Sequence, residues 1–305
     1  MVLEELAVRL NNREYKNWLK AGRCLHILKE GLHPFITHHM RAFHGDLLNQ
    51  NTRLRTPCHT SACKPKGNKL LSVCSACSDW QTEILKHHSN RGIAVNWDNC
   101  FPPHWRMDHW ELAKAYMPRG QGKVKGAEKC DASALLNLIN HCDCFQSVDH
   151  KFVKEVIRHR NELMHSCEMG VKDEWMWHYQ TALRNLLLQF RHIPQMAAAG
   201  RQIEEMLTVD LSIWVSGLDR VDSVEVNGLE LDAVGQWETR ADSVSQWEAE
   251  LLQERLHELL HADEDVKIED PEQLQRLAGF LQANRDLCER FSAELQTINS
   301  LKAGE

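Results

Sequence analysis

Nothing in the sequence approaches the ~18 uncharged apolar residues of a membrane-spanning helix, so no stretch reads as a span. The first ten residues place Glu4 and Glu5 where a secretion signal carries basic residues. No glycine-rich phosphate loop, dinucleotide fingerprint or serine-hydrolase elbow occurs, which sets those three enzyme classes aside. The expected compartment is therefore the cytoplasm or the nucleus. In that reducing setting, eleven cysteines, an odd number, argue against a disulfide framework. They point to thiols that are buried or hold metal.

What is present supports a substantial core. Forty-three per cent of residues are hydrophobic and ten are Trp, while 26 per cent are charged and keep a surface wet. A chain of 305 residues exceeds the ~250 at which single cores usually stop growing, so two units are expected. The net charge of -7 hides an asymmetry. Residues 201–305 hold 9 Lys and Arg against 24 Asp and Glu, and residues 1–200 hold 27 against 19. The first part is basic and permits phosphate contact; the last is acidic.

Apolar spacing predicts helices over about 14–30 and 35–48, then breaks at the Pro57, Pro65 and Gly67 stretch. A short helix over 78–88 interrupts this insertion. Helical spacing resumes at 110–117, after 131 with Asp131 as N-cap, over 149–165 and over 173–191, with Pro194 as a closing signal. Residues 211–235 show no sustained period and read as a linker. Two amphipathic helices follow, one through Trp247 and Leu260, one from Leu274 to Ile298, with Asp270-Pro271-Glu272 opening the second. The expected layout is mainly α: a helical domain over 1–200 with a cysteine-rich insertion at about 51–105, an acidic linker over 201–235, and a C-terminal helical hairpin over 236–305. That hairpin pairs with itself in coiled-coil fashion, with another copy or with a protein partner, although it lacks a long strict heptad.

One helix carries an anomaly. Taking 100° per residue from Phe152, the apolar residues Phe152, Val153, Val156, Ile157, Leu163 and Met164 lie within about 140°, and Arg160 projects from the middle of that stripe. A guanidinium aimed at a core needs a partner or a cleft, because an unpaired buried charge costs several kcal/mol. His165 lies about 140° round from Arg160 on a regular helix. The two meet only if the helix ends near Met164 or a second chain completes the site. Such a pair suits metal-independent RNA cleavage, with His165 moving protons, Arg160 binding phosphate and Asn161 positioning either. The alternative is a buried Arg160 paired to an acid and a surface His165.

Arg160-Asn161 with His165 on a late helix resembles the HEPN superfamily, over roughly residues 10–195. That resemblance implies a HEPN-like helical bundle and either a metal-independent endoribonuclease or a silent relative that binds RNA or dimerises. It carries over Arg160, Asn161 and His165 as catalytic residues, with no catalytic cofactor, RNA as ligand and a homodimer as assembly. Three runs also resemble a vertebrate family defined by a domain of unknown function: Glu14-Tyr15-Lys16-Asn17-Trp18, Ala113 through Gly120, and Arg160 through Ser166.

Cys58, Cys63, Cys74 and Cys77 fall in one polar stretch, the last two as a CxxC knuckle that offers two thiolates from one tight turn. They suit a structural zinc ion. His59, His87, His88 and Cys100 are near enough in sequence to replace Cys58 or Cys63, and four reduced thiols that only pack remain the alternative. Trp80, Trp97, Trp105 and Trp110 either stack on unpaired bases or pin the insertion to the domain. The acidic hairpin suggests a segment that folds over the basic part and competes with RNA.

Overall fold

Pro34 sits inside a helix of 38 residues. The computed structural model describes residues 2–60, 62–89, 95–166, 169–215, 236–260 and 271–303. After α1 (Val2–Asn11), α2 runs unbroken from Arg13 to Gln50, where the spacing predicted two helices. Pro34 removes one N–H from the ladder, and the helix persists because its buried face is continuous through Leu25, Leu28, Leu32, Ile36 and Met40.

The other helices among the described residues are α3 (Ser75–Lys86), α4 (His109–Ala113), α5 (Ala132–His141), α6 (His150–Met164), α7 (Asp173–Gln189) and α8 (Pro194–Thr208), followed by α9 (Ala241–Leu260), α10 (Pro271–Ala283), α11 (Arg285–Arg290) and α12 (Ser292–Ala303). The fold is mainly α, as the sequence implies. Among the described residues a two-stranded sheet pairs β1 (Asp210–Trp214) with β2 (Gln236–Arg240) in parallel, Leu211 opposite Trp237. β1 falls where the sequence suggested a linker, and its Leu211 and Ile213 are buried. Residues 216–235 of that linker and 261–270 of the hairpin turn lie outside the described residues.

Pro194 opens α8 rather than closing α7, a position where its missing N–H is not needed. The second hairpin helix is three pieces. Asn284 leaves helical geometry (φ -112°, ψ 106°) and donates from its side chain to the Phe280 carbonyl at 2.8 Å. Phe291 interrupts again before α12.

The chain divides into two compact units: residues 1–24, 161–180 and 204–305 form one, and residues 25–160 and 181–203 the other. In the first, Trp18 donates its indole N–H to the Leu163 carbonyl at 3.2 Å and Tyr179 its hydroxyl to the Ala21 carbonyl at 3.1 Å. Gly22 lets α9 approach, since a Cβ there would lie 2.5 Å from Leu251. Arg9 pairs with Glu248 at 3.0 Å and Asp286 at 2.7 Å, and Tyr15 donates to Glu248, a carboxylate with no exposed side-chain surface. In the second, Phe35 packs on Phe145 and Phe190, and Gly31 sits against Ala199 and Met196 of α8.

This division sharpens the charge asymmetry. The unit containing residues 25–160 holds 22 Lys and Arg against 12 Asp and Glu, or +10; the other holds 14 against 31, or -17.

Candidate functional site

The insertion is built around its cysteines. Cys58 and Cys63 lie on the loop after a 3₁₀ turn at Thr52–Arg55, and a bridge between Lys66 and Lys69 reverses the chain with Gly67 in the left-handed region (φ 53°). Cys74 is then the N-cap of α3 and Cys77 lies in its first turn. Cys74 makes no side-chain capping bond, leaving its sulfur to the other thiols.

The four sulfur atoms lie within 4.8 Å of one another, and Cys58 and Cys74 are 3.7 Å apart. A zinc ion with Zn–S bonds of about 2.3 Å sets tetrahedral S–S edges near ~3.8 Å. The four thiols therefore have the spacing to hold a metal ion. Burial works against the Cys74 thiolate, but the Cys77 backbone N–H and the neighbouring thiols outweigh it and hold Cys74 below the usual thiol range, whereas burial holds Cys63 and Cys77 above it. The helix N-terminus favours negative charge in the same place. The cluster contains neither His59 nor Cys100. His87 instead bonds Asp143 at 2.9 Å and Glu83 at 3.2 Å.

Trp80, Trp97, Trp105 and Trp110 are all buried, so they pin the insertion rather than present faces to bases. Trp80 donates to the Leu54 carbonyl at 3.2 Å, and His44 bonds the Trp105 carbonyl at 2.7 Å.

Arg160, 2% exposed, lies on α6 with Nη2 3.4 Å from Asp131 Oδ2. The other oxygen of Asp131 caps α5 by accepting from the Ala134 N–H at 2.7 Å. Arg160 thus braces the α5 N-terminus through a carboxylate that sequence reasoning placed only as a cap. α6 ends at Met164, and the His165 N–H still bonds the Asn161 carbonyl at 2.9 Å, finishing the last turn. Asn161 is exposed. His165 is exposed with Nδ1 3.1 Å from Gln273 Oε1. Arg160 and His165 therefore meet different residues, and each has further contacts besides these.

Two cavities escaped the sequence reading because their walls come from separated segments. One, of about 530 Å³, is lined by Arg13, Lys16, Lys20, Asp173 and Trp177. Its cations are engaged: Lys20 donates to the carbonyls of Leu207 and Val209 at 3.1 and 2.7 Å, Lys16 to that of Leu211 at 2.8 Å, and Arg13 pairs with Asp173 at 2.6 Å. The other, of about 580 Å³, is bounded by Arg41 of α2, Phe101, His104 and Trp110, and Lys125 and Glu128.

The chain belongs to the family described as Domain of unknown function (DUF4559), whose model matches residues 9–303. It is 41% identical over 307 residues to the mouse protein named "Uncharacterized protein CXorf38 homolog", covering 99% of this chain and 93% of that relative. No solved structure matches. No helix among the described residues is long and apolar enough to cross a membrane.

Proposed function

We propose that this chain is an RNA-associated HEPN-like protein whose cysteine-rich insertion is stapled by a structural zinc ion. The observation that supports RNA is the partition of charge: the unit that contains the four thiols and Arg160 carries +10. A surplus of that size releases counterions when it meets a phosphate backbone. Zinc is the metal that suits four cysteine sulfurs, and a set closed by four thiolates leaves no open position for chemistry. Its part is to fix the loop of Cys58 and Cys63 onto α3.

The buried Arg160 leaning on Asp131 favours a non-catalytic RNA-binding or adaptor form, in which a homodimer or a protein partner at the C-terminal helices completes the assembly. One observation favours a second reading, a metal-independent endoribonuclease. α6 stops at Met164 and leaves His165 exposed, where an imidazole can move the 2′-hydroxyl proton. In that reading Arg160, released from Asp131, grips phosphate beside Asn161, with a second copy completing the site.

The test compares wild type, Arg160→Ala and His165→Ala on mixed single-stranded and structured RNA in EDTA. The expected result is binding without cleavage. Cleavage by wild type that His165→Ala abolishes would establish the nuclease reading. Equal cleavage by all three marks a contaminant, and absence of binding removes RNA as the ligand.

A further inference from the structure

We propose that the cavity between Arg41, Phe101, Trp110 and Lys125 is a pocket for a single nucleobase with its phosphate. This rests on the RNA reading above and names a site for it that contains none of residues 160–165.

The cavity's volume of about 580 Å³ falls in the ordinary range of small-ligand sites, roughly 300–1,000 Å³. Trp110, 4% exposed, lines it, and the indole N–H is buried with no acceptor among the described residues. A buried donor left without a partner costs about 1–3 kcal/mol. The neighbouring Trp105 shows the contrast, since its indole N–H reaches the Glu111 carbonyl at 3.2 Å. The nitrogen has essentially no accessible surface, so an acceptor from a ligand in the cavity reaches it only when the indole turns as the ligand enters.

The rest of the lining defines that ligand. Phe101 is half-buried and His104 exposed; their rings lie edge to face, 4.6 Å apart, and Lys64 Nζ sits 5.8 Å from the centre of the Phe101 ring. Asp108 and Glu128 are acceptors; one oxygen of Asp108 is taken by the Trp110 backbone N–H at 2.8 Å. Burial holds His109 below its usual range, Asp108 opposing and Arg41 assisting, so at neutral pH it offers one donor and one acceptor. Arg41 and Lys125 are exposed and have no carboxylate within ion-pair reach among the described residues. In the 530 Å³ cavity, by contrast, Arg13, Lys16 and Lys20 are engaged.

A flat ring that accepts from an indole N–H, donates exocyclic amine hydrogens to carboxylates and carries an anion at the rim is a nucleobase with its phosphate. Adenine, cytosine and guanine have the amine, and uracil lacks it. The source is either an unpaired nucleotide of an RNA strand or a free mononucleotide, and both present the same groups.

The experiment uses the full chain. Fluorescence anisotropy measures affinity for labelled 12-nucleotide oligo(A), oligo(C), oligo(U) and an abasic ribose-phosphate strand across a salt series; ligand-observed NMR measures AMP. Wild type should bind oligo(A) and oligo(C) about tenfold more tightly than oligo(U) or the abasic strand. Trp110→Phe, which keeps a six-membered aromatic ring but loses the fused pyrrole with its N–H, should lose about fivefold for oligo(A), the worth of one neutral hydrogen bond. Arg41→Glu, at a surface position, should weaken all four strands and flatten the salt slope by about one or more. Should Trp110→Phe fail to fold, the Arg41 variant decides. RNA binding unchanged in both variants overturns the pocket while leaving the RNA reading intact. AMP binding that Trp110→Phe weakens, with no RNA binding, supports the pocket for free nucleotides and removes the RNA reading. Absence of binding to both AMP and RNA overturns both.

Discussion

At the residue scale, the consequential contacts join positions far apart in sequence. Arg9 meets Glu248, 239 residues on, and no periodicity could have paired them. Because Glu248 is fully buried, Arg9→Ala should cost about 3–5 kcal/mol, read by urea unfolding. The two carboxylates pull stability in opposite directions with pH. Burial holds Glu248 above the usual range, with Arg9 and Tyr15 opposing, so the folded state binds that proton more tightly than the unfolded chain. Its contribution therefore falls as pH rises above the unfolded value of about 4.3. For Asp286 burial also pushes upward, yet the Arg9 hydrogen bond and charge outweigh it and hold the group low, so its contribution is lost as pH falls below about 3.9. Glu248→Gln should abolish the decline above about pH 4.3 and leave the acid limb; an unchanged profile would show that the decline arises elsewhere. Asp131 was legible as an N-cap from its place before the helix, whereas its hold on Arg160 was not, since that depends on packing α5 beside α6. Asp131→Ala should lower stability by about 1 kcal/mol or more, the worth of a cap with the Arg160 contact added.

At the element scale, local pattern was a good guide to where helices lie and a poor one to where they stop. The core stripe of α2 overrides Pro34, and Asn284 splits a stripe that looks continuous. Pro194 has the same ambiguity, because proline both stops a helix and begins one. The cysteine knuckle was legible because a CxxC spacing brings two sulfurs together from one tight turn, while its place as N-cap and first turn of α3 was not. Cys77→Ser should reduce bound zinc, measured by elemental analysis, and lower the thermal midpoint; full metal retention would refute the four-thiol site. Chelation should also expose residues 50–105 to hydrogen exchange without changing the rest of the chain, and uniform protection would count against a local staple. Gly31 touches Ala199 so closely that an added Cβ would lie 2.9 Å from the Ala199 Cβ. Gly31→Ala should therefore destabilise by about 1–3 kcal/mol, visible as a lower urea midpoint.

At the scale of the whole molecule, the linear charge asymmetry became larger in three dimensions because acidic residues 161–180 and 204–305 fold with residues 1–24. The sequence suggested a division after residue 200, whereas α2, α6, α7 and α8 each contribute to both units. RNA affinity should fall steeply between 50 and 200 mM salt, by about tenfold or more if several phosphates are neutralised; a flat response would exclude backbone contact. The +10 unit should also show in how the protein handles at the bench. With an isoelectric point near 6.2, bulk titration predicts that it will pass through a sulfonate resin at neutral pH. Local attraction should instead retard it on that resin as well as on a quaternary-amine one, and material from cell extracts should carry polynucleotide that a high-salt wash removes.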